Sequence, residues 1–162
     1  METVVLKGFV ARKLREEASR RGLSLEEYML EVLTQGLNSE ERAREYIEAA
    51  SSLLEEGREE LEKGDLRQAA EKVWGAVALA VKAYALWRDG RILESHGELW
   101  SYKDRVARDL GDWVRVAFQQ ASSMHTCFYE GWCTEEDVEA ALRAAGRLVE
   151  AVRESVSPAG AA

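Results

Sequence analysis

One stretch of the sequence limits the possible folds more than any other. Residues 66–87 contain the run AEKVWGAVALAVKAYALW, which is apolar over most of the circumference of a helix and contains no proline. A helix of this kind has to be covered by other elements on nearly every side. We therefore predict an all-α fold in which this segment is the central helix of a bundle.

Short polar breaks divide the chain around this segment into further helices. Capping signals, such as Ser95 with Glu98 and Thr134 with Asp137, mark where helices begin. The predicted bundle covers residues 38–156, and its five helices lie over residues 39–63, 66–87, 95–110, 113–129 and 134–155. Because the connections are mostly short, we expect an up-and-down bundle with antiparallel neighbours. Residues 157–162 are predicted to form a frayed tail.

The first 37 residues are predicted to form a separate N-terminal arm. Thr3 and Val5 alternate with Val4 and Leu6, which is typical of a short strand. Two amphipathic helices are predicted to follow, the first over residues 11–21 and the second from the capping residue Ser24. The arm is thus expected to contain one strand and two helices.

Charge is unevenly distributed along the chain. The net charge is -8, but residues 1–21 carry +3 and the remainder carries -11. Contact with a polyanion is therefore expected only near the N-terminus. Asn38 is the sole asparagine and charged residues make up 32% of the chain, a composition typical of heat-adapted proteins.

The sequence contains neither an apolar run of about 18 residues, the length needed to span a membrane, nor the pattern of a signal peptide. We therefore expect a cytoplasmic protein that does not contact membranes. Its two cysteines, Cys127 and Cys133, do not have CxxC spacing. Buried thiols are the simplest expectation, and an internal disulfide or a zinc site with His125 are the alternatives.

Four segments together carry a resemblance to a known family: GDLRQAAEKVWGAVALAVKAYA, SHGELW, MHTCFYEGW and TEEDVEAAL. Through them, residues 39–155 resemble HEPN-type helical bundles, specifically the archaeal repeat-associated paREP branch. The resemblance implies a bundle of four or five helices that forms a homodimer. The central helix gives a separate reason to expect a homodimer, because a small monomeric bundle has little surface with which to cover it.

Active HEPN ribonucleases resemble one another in an arginine followed about four to six residues later by a histidine. His125 holds the histidine position, whereas Phe118, Gln119 and Gln120 stand where the arginine should be. Arg115 lies too far upstream, and an amide cannot replace the charge of a guanidinium beside phosphate. The resemblance therefore implies a module that binds a partner, with nucleotide or RNA as candidates, and that has little or no catalytic activity. A metal-independent ribonuclease that uses His125 is the alternative.

His125 is thus the candidate catalytic residue, although it also lies on an apolar helical stripe that is typical of a structural histidine. The loop after it offers large aromatics that either close a cleft or pack against the helix end. We predict neither a metal nor a cofactor. The candidate ligand-binding residues are Gln119, Gln120, Tyr129, Glu130, Trp132 and Arg115.

The N-terminal arm carries a second resemblance. Its strand followed by ARKLREEASRRGLSLEEYMLEVL is similar to a ribbon-helix-helix segment, in which the paired strands of two chains enter the major groove of DNA. This resemblance implies a DNA-binding regulator with Thr3, Val5 and Lys7 facing the bases. We prefer the interpretation in which these helices pack on the bundle or on a partner subunit, and DNA binding is the alternative.

Overall fold

The computed structural model describes residues 2–157, and in that range the chain folds into seven α-helices and no β-strand. The all-α prediction is therefore confirmed at the level of fold class. Residues 158–162, most of the predicted frayed tail, lie outside the described range. The helices are α1 (Gly8–Arg20), α2 (Leu25–Leu33), α3 (Ser39–Glu62), α4 (Leu66–Asp89), α5 (His96–Leu110), α6 (Trp113–Glu130) and α7 (Glu135–Val156).

The chain divides into two compact units between Leu37 and Asn38. The N-terminal unit contains α1 and α2, which pack on each other. Ser24 caps α2 by accepting a hydrogen bond from the Glu27 amide, as the sequence predicts.

The predicted N-terminal strand is wrong. Residues 2–7 have no regular secondary structure, and α1 begins at Gly8, three residues before the predicted start. Alternation alone did not produce a strand because a strand needs a neighbour to satisfy its backbone groups, and none lies among the described residues. Thr3, Val5 and Lys7 therefore lie in an exposed irregular segment rather than on one face of a ribbon.

The second unit is the helical bundle, and α4 is its central helix. This helix packs against α3, α5, α6 and α7, and fourteen of its residues are buried. The prediction of a central helix from its apolar circumference is confirmed. The same finding removes one reason for expecting a homodimer, since a single chain already covers this helix.

The starts of the bundle helices follow the predicted capping signals. Ser95 with Glu98 and Thr134 with Asp137 form reciprocal capping boxes at the starts of α5 and α7. Gly90 and Gly131 end α4 and α6 in the left-handed conformation that glycine adopts without strain. These signals place the first residue of α5, His96, and the last turn of α6 at fixed positions in the bundle.

Two hydrogen bonds between side chains hold α5 against α4. Tyr84 Oη donates to Asp109 Oδ2 (2.9 Å), and Tyr102 Oη donates to Asp89 Oδ2 (2.6 Å). The hydrogen bond from Tyr84, supported by neighbouring arginines, holds the pKa of Asp109 below its ordinary value despite partial desolvation. The Asp109 carboxylate therefore stays ionised at neutral pH, and the two hydrogen bonds together fasten α5 to the central helix.

Candidate functional site

The two histidines of the chain meet in the bundle, although 28 residues separate them in sequence. His96 is the first residue of α5, and His125 lies in the penultimate turn of α6. Their ring centroids are 5.6 Å apart. This pairing brings together every imidazole that the chain has.

A carboxylate on the central helix orients one of these imidazoles. His125 Nδ1 donates a hydrogen bond to Glu71 Oε2 (2.9 Å), and both side chains are about one-third exposed or less, at 28% and 32%. A carboxylate on Nδ1 fixes the tautomer and the ring orientation of the imidazole. The arrangement leaves Nε2 as the His125 nitrogen that a ligand can engage.

Two aromatic rings complete the group. The Trp74 ring centroid lies 5.5 Å from that of His96 and 5.6 Å from that of His125, and Trp74 is 5% exposed. The Tyr129 ring meets His125 edge-on at 5.2 Å and is 63% exposed. Trp74 therefore forms a buried floor, and Tyr129 forms an outer wall. We call Glu71, Trp74, His96, His125 and Tyr129 the two-histidine cluster.

Trp74 packs on further aromatic side chains in the core of the bundle. Phe118, which is fully buried, meets Trp74 edge-on at 5.6 Å and Trp100 edge-on at 5.0 Å. Edge-to-face pairs of this kind stabilise the packing beyond what burial alone contributes. Phe118 thus joins α4, α5 and α6 directly beneath the cluster.

A disulfide closes the loop beside the outer wall. Cys127, in the last turn of α6, is bridged to Cys133 in the segment before α7, and both are buried. The expectation of two thiols was wrong, and the alternative of an internal disulfide is correct. The bridge encloses residues 128–132, which we call the cystine loop.

Arg67 fixes the same loop from the central helix. Its Nε donates to the Phe128 carbonyl (2.9 Å), and its Nη2 donates to the Tyr129 carbonyl (2.6 Å). These carbonyls belong to the end of α6, where a cation is favoured by the helix dipole. Arg67 is therefore engaged in capping α6.

Comparison with known proteins decides the family. A model of the archaeal PaREP1/PaREP8 family matches residues 45–149, which is more than half of the chain. The chain belongs to this archaeal family. No curated protein and no solved structure matches it. The predicted resemblance to the paREP branch is confirmed, and the matched residues contain the whole two-histidine cluster.

Within this PaREP1/PaREP8 bundle, the predicted site residues fall into separate groups. Tyr129 joins His125 in the cluster, and Glu130 and Trp132 are exposed in the cystine loop, Trp132 at 59%. Each residue of an α-helix is rotated by about 100° from the one before it. Gln119 and Gln120 therefore lie roughly 120° and 140° around α6 from His125. The two glutamines therefore point away from the cluster.

Arg115 also lies away from the cluster. Its guanidinium pairs with Asp104 (3.1 Å) and Asp112 (3.7 Å) near the start of α6. Ten residues of helix separate it from His125, a rise of roughly 15 Å. Arg115 is therefore engaged in ion pairs at the other end of the helix.

Sequence reasoning missed Glu71, Trp74 and His96 as site residues. In the sequence alone, Trp74 has the pattern of a core residue and His96 that of a surface residue in a capping turn. Glu71 offered the clearest overlooked signal, since it is the sole acidic residue between positions 66 and 87 of the family's central helix. A carboxylate on a mostly apolar helix is costly to bury unless it has a hydrogen-bond partner, and the His125 imidazole is such a partner.

Residues 2–157 contain no group of three or more histidine, cysteine, aspartate or glutamate side chains placed to hold a metal ion. Across the same described range, no helix is both long and apolar enough to cross a bilayer.

Proposed function

We propose that this PaREP1/PaREP8 protein is a HEPN-like binding module that takes a nucleotide or an RNA at the two-histidine cluster, with little or no catalysis. The observation that carries the proposal is the meeting of the two histidine rings over Trp74, with His125 bonded to the Glu71 carboxylate, at a partly exposed aromatic site. The likeness to HEPN bundles is supported by a helical bundle with a histidine near the end of a long helix.

The chemistry of the cluster suits a phosphate ester attached to a ring. A protonated imidazole donates hydrogen bonds to phosphate oxygens, and two adjacent imidazoles can hold one phosphate between them. The exposed Tyr129 ring offers a face on which a base can stack. The large negative charge of the remaining bundle favours a short ligand over a long polyanion, because repulsion grows with each additional phosphate.

Efficient RNA cleavage requires more than these groups supply. His125 could accept the proton of a ribose 2'-hydroxyl, and His96 could donate one to the leaving oxygen. Stabilising the charged phosphorane needs a fixed cation as well. Arg115 and Arg67 are both engaged elsewhere, and Gln119 and Gln120 occupy the positions of the missing arginine. Slow or absent turnover follows from this set of residues.

We also propose that the protein is a homodimer. The support is a set of large aromatic side chains that remain exposed on the bundle, at 39% to 63%: Trp100, Tyr129 and Trp132. Exposed aromatic residues of this size are enriched at interfaces.

Ligand binding is tested by titrating the protein with AMP and with a short single-stranded RNA while the two imidazole signals are followed by NMR. Both His96 and His125 should shift together at micromolar to millimolar ligand. Inorganic phosphate provides the control for the contribution of the base, and it should bind more weakly than AMP. Imidazole signals that stay fixed with AMP and with RNA would remove the proposal.

The N-terminal unit carries a second candidate function, which is contact with duplex DNA. The observation in its favour is an exposed basic helix: the side chains of Arg12, Lys13 and Arg20 are 66%, 52% and 66% exposed on α1. Their pairing with Glu16 and Glu17 is weak because exposed ion pairs contribute about 0–1 kcal/mol. These cations are therefore available to phosphates at little cost.

DNA binding by this unit should fall steeply as salt rises, because each neutralised phosphate releases counterions. An Arg12→Ala/Lys13→Ala/Arg20→Ala variant should fail to bind in a gel-shift assay at low salt, because it lacks these exposed cations, while its circular dichroism stays unchanged. Intact protein that fails to shift duplex DNA at low salt would remove this candidate.

A further inference from the structure

We propose that the Cys127–Cys133 cystine is a reversible redox-modification site, that its co-substrate class is a dithiol, and that its reduction weakens the two-histidine cluster. This inference rests on the proposed function in one respect only, which is that the cluster binds a nucleotide. The cystine itself and its position are observed directly.

The bridge is tied to the cluster through two residues of α6. His125 precedes Cys127 by two residues, and Tyr129 follows it by two. Tyr129 lies inside the cystine loop, and its ring forms the edge contact with His125 at 5.2 Å. The outer wall of the site is therefore part of the covalently closed segment.

Little packing would hold the loop in the absence of the bridge. Tyr129 and Trp132 are 63% and 59% exposed, and Glu130 is also exposed. Besides the helical hydrogen bonds of the last turn of α6 and the ring contacts of Tyr129, the loop is held by the Arg67 hydrogen bonds and by one bond from the Gly131 amide to the Cys127 carbonyl (2.7 Å). A segment with few buried apolar contacts and exposed backbone bonds opens locally at low free-energy cost. The cystine is thus the covalent constraint on the last turn of α6, to which Tyr129 belongs.

The two cysteines differ in exposure, and we expect the exchange to begin at the more exposed residue. Cys133 is 8% exposed, whereas Cys127 is fully buried. A thiolate of the dithiol attacks Cys133 Sγ, the Cys127–Cys133 bond breaks, and Cys127 leaves as a thiolate that takes up a proton. The second thiol of the reductant then displaces Cys133, which also becomes a thiol. The protein gains two electrons and two protons, and the dithiol becomes a disulfide.

The test compares the oxidised protein with the same protein reduced by dithiothreitol, with thiol release measured to confirm reduction. Hydrogen exchange of the amides of residues 130–133 should accelerate at least about tenfold, as expected for a segment released to local opening. The imidazole signal of His125 should shift. The dissociation constant for AMP should rise about tenfold, because only a minority of the reduced molecules would have the loop in its closed conformation. A Cys127→Ala/Cys133→Ala variant is the matched control, and dithiothreitol should change nothing in it.

The ligand-free readouts keep the two proposals separate. Unchanged exchange and an unchanged His125 signal after confirmed reduction would overturn the redox inference, as would an unchanged dissociation constant for AMP. If the oxidised protein fails to bind AMP while exchange and the imidazole signal respond to reduction, the proposed ligand is wrong and the redox site stands.

Discussion

Replacing Phe118 with alanine should lower the free energy of unfolding by about 3–5 kcal/mol, the usual cost of removing a large aromatic from a packed core. Phe118 is fully buried and forms edge contacts with both Trp74 and Trp100. Removing it leaves a cavity where α4, α5 and α6 meet, because the helices can close only part of the gap. Chemical denaturation followed by circular dichroism measures the change.

Val116 is the matched control for this prediction. It lies on the same helix two residues away and is 58% exposed, so Val116→Ala should change the free energy by no more than about 0.5 kcal/mol. Equal effects of the two substitutions would show that α6 does not pack through Phe118. The description of the aromatic core beneath the cluster would then be wrong.

The second large effect concerns His125 and the ligand. His125→Ala removes the imidazole that Glu71 orients, and it leaves that carboxylate without this partner beside the ligand site. Loss of a charge-assisted hydrogen bond to phosphate costs about 1.5–3 kcal/mol, which weakens binding about tenfold to a hundredfold. Stability should fall by only about 1 kcal/mol, since both side chains are partly exposed. Isothermal titration with AMP and thermal melting separate the two effects.

Gln119→Ala is the control for ligand binding. Gln119 is exposed on the same helix and lies roughly 120° around it from His125, so its loss should leave the affinity for AMP unchanged. A larger loss of affinity from Gln119→Ala than from His125→Ala would place the ligand on the other face of α6. That result would favour the arrangement expected from sequence spacing over the two-histidine cluster.

The helical bundle could be predicted because its signals are local. The apolar circumference of residues 66–87 and the capping pairs at Ser95 and Thr134 each act within one helix or one turn. The N-terminal strand could not be judged in this way, because a strand is stable only with a neighbour that supplies hydrogen bonds. Val4 and Val5 alternate correctly with their neighbours and still remain exposed, at 81% and 71%.

The cluster could not be predicted because its contacts are long-range. Glu71 and His125 lie 54 positions apart, and only the packing of α6 on α4 brings them within 2.9 Å. Gln119 and Gln120 were selected by spacing along the sequence, whereas rotation around the helix turns them away from His125. The homodimer argument based on the central helix was misleading because four neighbouring helices cover α4 within one chain.

The most direct test of the account is to incubate the purified protein with a labelled single-stranded RNA, in the presence of a chelator, and to measure binding and cleavage in the same samples. Fluorescence anisotropy should report a complex that weakens in His125→Ala, and a denaturing gel should show the RNA intact after prolonged incubation. The contradictory result is cleavage by the wild type that disappears in His125→Ala while the melting temperature stays unchanged. Such a result would make His125 a catalytic base and would require a cation from a second subunit to stabilise the transition state.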